Sequence, residues 1–90
     1  MEAYNEIDAD YLLEYYKEKV SGQIMTDFDS KYKIDKLQKV DVGNNQFAIV
    51  GYLKPAMGGI LLIKRRILHI ATSMGLELPD DVLANRSQPQ

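Results

Sequence analysis

Between Pro55 and Gly75 the chain reads PAMGGILLIKRRILHIATSMG, and the spacing within this stretch constrains the fold more than any other feature. Ile60, Ile63, Ile67, Ile70 and Met74 recur at three- and four-residue steps, with Ala71 beside them. At about 100° per residue these positions draw one continuous apolar stripe along a helix. Proline fits the first turn, where its missing N–H has no partner to lose, and glycine ends helices by adopting the left-handed conformation. The whole stretch is therefore predicted as one long amphipathic helix. Met57, Leu61 and Leu68 form a second, narrower line, a candidate packing or dimer seam. Lys64 falls between the two lines, where its ammonium must reach water or meet a carboxylate. Arg65, Arg66, His69, Thr72 and Ser73 fall on the solvated arc, with Leu62 among them. Gly58 and Gly59 each cost up to about 1 kcal/mol in a helix. They imply a close backbone approach, or a helix that begins nearer Ile60. In the second case Lys54 and the glycine amides would make a small anion site.

The chain before this stretch changes period. Asp8 to Ser21 reads as a first helix: acids gather at its start, Lys17 and Lys19 near its end, and Gly22 closes it. Leu12, Leu13, Tyr16 and Val20 make its buried face, and Tyr11 and Tyr15 flank that face as a candidate interaction rim. Gln23 to Asp29 is ambiguous between a short strand and an irregular link. From Lys31 to Val42 apolar residues alternate with lysines, and the parity changes at Leu37, as a bulge or a junction of two short strands would require. Gly43-Asn44-Asn45 is turn chemistry, and Gln46 to Leu53 answers as the second strand of a hairpin. Gly51 inside that strand implies a bulge or room for a packed helix. The continuous Phe47–Val50 run implies burial on both faces, hence a central strand or one covered by another subunit. The expected fold is α+β: an N-terminal helix, a small antiparallel sheet built on a hairpin, the long helix and a short tail. Residues 1–84 form one domain, with a short helical turn at Asp80 to Ala84, and 85–90 a frayed polar tail.

Composition narrows the function. Ninety residues with 46% hydrophobic content and no cysteine describe one small folded domain without disulfides or thiolate chemistry. No apolar run approaches the roughly 20 residues of a membrane span, and the acidic start lacks a secretory signal's basic region. A cytoplasmic protein with no membrane partner is expected. The net charge of −2 conceals a strong division along the chain. Residues 1–30 carry eight acids against Lys17 and Lys19, and residues 31–72 carry eight bases against Asp35 and Asp41. Internal pairing of an acidic helix with a basic unit is the plain explanation. A surface for nucleic acid or an acidic protein is the sharper one.

Catalytic signals are weak. His69 is the single histidine, with Arg65 and Arg66 near it and no acid within one helical turn. Asp8/Asp10 and Asp27/Asp29 read as helix capping and loop, without the regular oxygen spacing of a calcium loop. No phosphate-loop spacing accompanies the glycine pair. No enzyme, cofactor or metal is expected. The primary expectation is a small accessory, adaptor or inhibitor protein that dimerises and binds a protein partner. Candidate contact residues are Tyr11, Tyr15, Lys54, Lys64, Arg65, Arg66 and His69. The alternative is nucleic-acid or anion binding through Lys64-Arg65-Arg66 on the long helix, aided by Lys31, Lys33, Lys36 and Lys39. The alanine-to-glycine spacing of a helix-turn-helix, Ala71 to Gly75, leads only into Pro79-Asp80-Asp81, so no recognition helix follows.

Overall fold

The structure, a computed structural model, describes residues 3–60 and 62–76. Its elements run α1 (Glu6–Val20), β1 (Ile24–Asp27), β2 (Ser30–Gly43), β3 (Gln46–Pro55), β4 (Ile63–Arg66) and α2 (Ile67–Met74). The strands form one antiparallel sheet in the order β1-β2-β3-β4. Both helices pack on the same face of it. Leu12, Tyr16 and Val20 of α1 and Ile67 and Ile70 of α2 close one core over Ile34, Leu37, Ile49 and Leu53. The α+β class therefore stands, as one small domain.

The long helix does not form. Its stretch divides into the end of β3, a loop, the short strand β4 and a two-turn helix. Gly58 and Gly59 take φ of 99° and 116°, a region that glycine enters without steric cost and other residues avoid. β3 also has an edge whose N–H and C=O groups need partners, and Ile63–Arg66 supplies them by pairing with Leu53–Val50. The apolar stripe survives only in its second half. Ile67, Ile70 and Ala71 are buried, whereas Ile60 is 98% exposed. Gly75 does cap a helix: its φ is 71°, and the Leu76 N–H reaches the Ala71 carbonyl at 2.8 Å in a Schellman arrangement.

α1 begins earlier than its acids suggest. Asn5 is the cap, its side-chain oxygen accepting the Asp8 N–H at 2.8 Å, so Asp8 lies within the first turn instead of preceding it. At the other end Ser21 is the cap and Gly22 follows with a φ of 78°. The ambiguous segment after it resolves into β1 and a two-residue turn, Phe28-Asp29. A second two-residue turn, Asn44-Asn45, joins β2 to β3 where the asparagines predict it. All four of these turn residues have positive φ, between 52° and 63°, the signature of type I′ hairpins.

β2 is one strand with a bulge, not two strands. Ile34 pairs with Leu53, but the next pair is Lys36 with Tyr52, so Asp35 is the extra residue. Ile34 and Leu37, three apart, thereby both face the helices. Gly51 proves to be room for a helix: a Cβ there would overlap Ile70 Cδ1 and lie 3.1 Å from Leu37 Cδ2. β3 is central, and Ala48, Ile49 and Val50 are all buried within a single copy of the chain. Their burial requires no second subunit. No helix among the described residues is long and apolar enough to cross a membrane. Leu61, the Asp80–Ala84 turn and the 85–90 tail lie outside the described residues.

Candidate functional site

Side chains alternate across a strand, so strand register decides which of them share a face. On the sheet face away from the helices, Lys33 stands opposite Lys54 and Lys36 opposite Tyr52. Across β3, Lys64 opposes the same Tyr52 and Arg66 opposes Val50. Lys31, two residues before Lys33, joins them and faces Thr26 of β1. The bulge at Asp35 makes this possible, because it brings Lys36 onto the face already carrying Lys31 and Lys33. Six cations from three strands thus share one face, with Lys36 and Lys64 on either side of Tyr52. The Lys36 ammonium sits 4.9 Å from the Tyr52 ring centroid, a cation–π contact. Lys54 meets Asp35 at 3.2 Å, with both side chains close to half exposed, where such a pair is worth little.

The helix-covered face treats its charges differently. The Asp27 carboxylate, 4% exposed, accepts from Arg65 Nε at 2.8 Å and lies 3.3 Å from His69 Nε2. This cluster ties β1, β4 and α2 together. It also corrects two expectations, since Arg65 is not on a solvated arc and His69 has an acid beside it. The acid comes from a strand distant in sequence, and spacing within a helix could not reveal it. Lys39 meets Asp10 at 2.6 Å and Glu6 at 3.2 Å, and lies 4.9 Å from the Phe47 ring. The hydrogen bond to Asp10, with Glu6 adding to it, raises the Lys39 pKa above its ordinary 10.5. Internal pairing of the acidic start with the basic middle is therefore real at Lys39 and Arg65, with the His69 ring beside the same Asp27 carboxylate. Lys33, Lys36 and Lys64 lie on the opposite face of the sheet.

The residues singled out from sequence thus fall into three groups. Lys54, Lys64 and Arg66 belong to the basic face, while Arg65 and His69 belong to the Asp27 cluster. Tyr11 and Tyr15 stand on the outer side of α1, their ring centroids 6.3 Å apart, with Lys19 over Tyr15. They border a shallow depression shared with Glu14, Lys17 and Glu18. The proposed seam is not a line: Met57 is in the β3–β4 loop and 95% exposed, and Leu68 is an exposed residue of α2. Tyr52 went unnoticed because it lies in an otherwise apolar strand. Its place opposite Lys36 was recoverable from the parity change at Leu37.

Among the described residues no three histidine or acidic side chains converge as a metal site would require. The side chains able to do chemistry are ionic, and on the open face they are almost all of one sign. No protein-family model, no curated protein and no solved structure matches the chain.

Proposed function

We propose that this chain is a small non-enzymatic binding module whose working surface is the open face of the sheet, and that its partner is an extended anionic surface or polymer. One observation carries the reading. Lys33 sits directly opposite Lys54, and Lys36 and Lys64 flank one tyrosine from both sides. Like charges on facing positions of neighbouring strands destabilise a sheet. A partner that brings negative charge removes that repulsion and adds attraction. The acidic surface of α1, with Asp10, Glu14 and Glu18 exposed, lies on the other side of the sheet. The molecule is therefore electrically polar, and an anionic partner is steered to the open face. This reading takes up the alternative expected from sequence, anion binding, in place of the dimerising adaptor, and moves its surface from the long helix to the sheet.

The test uses a generic polyanion. A protein of net charge −2 with evenly spread charges should pass through phosphocellulose at neutral pH. This one should be retained and released by salt. Lys33→Glu/Lys64→Glu should pass through unretained, while Lys17→Glu/Lys19→Glu on α1 should behave as the parent does. Equal retention of the parent and the sheet variant would refute the reading.

A further inference from the structure

At one end of the sheet, two loops present large apolar side chains to solvent. The β3–β4 loop carries Met57 and Ile60, 95% and 98% exposed, and the β1–β2 turn carries Phe28 at 79%. Strand register places both connections at this same end, because Tyr32 pairs with Pro55 and the Ala56 N–H bonds to the Lys31 carbonyl. Phe28 also holds a φ of 52°, a conformation costly for a bulky side chain. The turn thus carries both strain and exposure at one residue. Lys31, Lys54 and Lys64 stand one residue from the loop bases and Lys33 three, or within roughly 10 Å along the strands. Among the described residues, Asp29 and Asp35 are exposed acids at this end. Asp35 is paired with Lys54 and Asp27 with Arg65.

The Phe28 ring lies 5.5 Å from the Arg65 guanidinium at the margin of the covered face, and the open-face lysines stand behind Met57 and Ile60. Apolar tips bordered by cations in this way match one kind of partner. A nucleic acid would use the lysines but would leave Met57 and Ile60 in water. An acidic protein would need a pocket for each tip. An anionic lipid bilayer accepts both together: the tips enter the acyl boundary while the ammonium groups stay among the phosphates. Burial of apolar side chains and attraction of basic residues to an anionic leaflet both contribute to such binding. The Gly58-Gly59 pair lets the loop adjust as it enters.

We infer that the chain is a peripheral membrane-surface protein that inserts Met57, Ile60 and Phe28 into anionic bilayers, a proposal that rests on the open face being an anion-binding surface. The chain has no tryptophan, so Met57→Trp supplies a single reporter. On phosphatidylcholine vesicles containing phosphatidylserine, its emission should shift to the blue and be quenched by brominated acyl chains. Pure phosphatidylcholine vesicles should produce neither change, and Tyr11→Trp on α1 should stay unshifted on both. In sedimentation with the anionic vesicles, Met57→Asp/Ile60→Asp should bind at least about tenfold more weakly, with unchanged circular dichroism. Lys33→Gln/Lys64→Gln should lose roughly thirtyfold.

Two results would overturn the insertion while leaving the anion-binding reading intact. One is unchanged vesicle binding by the loop variant while the lysine variant loses it. The other is tight, salt-sensitive binding of a mixed-sequence single-stranded oligonucleotide with no binding of vesicles. If the lysine variant changes neither vesicle nor oligonucleotide binding, both inferences fall.

Discussion

Lys64, Arg65 and Arg66 are consecutive in sequence and end on opposite faces of one sheet. Arg65 turns toward the helices and is held by a buried carboxylate. Lys64 and Arg66 turn the other way, onto a face where lysines oppose lysines. The covered face pairs Asp27 with Arg65 and Lys39 with Asp10 and Glu6, because a charge left unpaired in a dry interior costs several kcal/mol. The open face is under no such demand, since water screens it, and it can carry a surplus of one sign. A basic triplet in a sequence is therefore not one patch. On this strand it becomes an ion pair with Asp27 on one side and exposed or half-exposed charge on the other.

The difference between the faces can be broken most severely from the covered side. Ile67 is fully buried between α2 and the sheet, and Ile67→Asp would put a carboxylate there with no partner. The loss should reach several kcal/mol and leave little folded protein. Cooperative urea unfolding with a near-parent midpoint would show that this face is not the core. Next comes a pair of adjacent substitutions that sharpens the contrast. Arg65→Glu removes a charge-assisted hydrogen bond to Asp27 and sets two acids side by side, at a cost of about 3 kcal/mol. Lys64→Glu, one residue away, should alter stability by no more than about 0.5 kcal/mol. Similar urea midpoints for the two variants would erase the distinction between the faces.

How far this was legible in the sequence depends on the range of the interaction. Short-range chemistry read well. Asn44-Asn45 turned where asparagines tolerate positive φ, Gly75 capped a helix, and the parity change at Leu37 marked the bulge at Asp35. The long helix failed because Ile60 to Met74 satisfies a helical period while also being rich in β-branched isoleucine, which strands accept. Two adjacent glycines and an unpaired edge of β3 decided the matter, and only the first of these is local. The Asp27 cluster was illegible for a related reason. Asp27 and Arg65 are 38 positions apart, and neither carries a mark of the other. The lysines of the open face were visible as lysines, but their common side became visible only once the bulge had been placed in the ladder.

A smaller effect separates the faces at Gly51. On the covered side this residue leaves room for Ile70, and Gly51→Ala would press a methyl into the Ile70 side chain. Overpacking of this kind costs roughly 1–3 kcal/mol. The lower half of that range is expected, because the first atom met is the end of an isoleucine side chain. Ala48→Gly, on the same strand but facing the open side, removes one methyl without forcing any movement. Double substitution with Ile70→Val should recover part of the Gly51→Ala loss, since it deletes the offending Cδ1. If Ile70→Val simply adds its own penalty in urea unfolding, α2 does not depend on the missing side chain at Gly51.

The smallest expected effect lies at Lys39, a cation of the covered face that has kept partial contact with water. Its ammonium donates to Asp10 and Glu6 and so anchors the start of α1 to β2. Those contacts favour the charged form, which is why its pKa in the folded protein lies above 10.5. In the unfolded chain the lysine titrates at its ordinary value. A group whose pKa is raised by folding contributes stability that is fully present below the unfolded pKa and disappears as the pH climbs through the folded one. The contribution of Lys39 should therefore be constant through the neutral range and fade only in strongly alkaline solution. The measurement is the difference in urea midpoint between the parent and Lys39→Met, followed from neutral to alkaline pH. Methionine keeps most of the length of the side chain and loses the ammonium that lies 4.9 Å from the Phe47 ring centroid, so the difference reports the charge. Every other ionisable group is common to both proteins, so the comparison isolates Lys39. Added salt should shrink the neutral-pH difference, because both carboxylates are largely exposed. A difference that persists unchanged into alkaline solution would assign the role of Lys39 to its packing on Phe47. The covered face would then owe its pairing to Asp27 and Arg65, with Lys39 serving as an apolar cover for the ring.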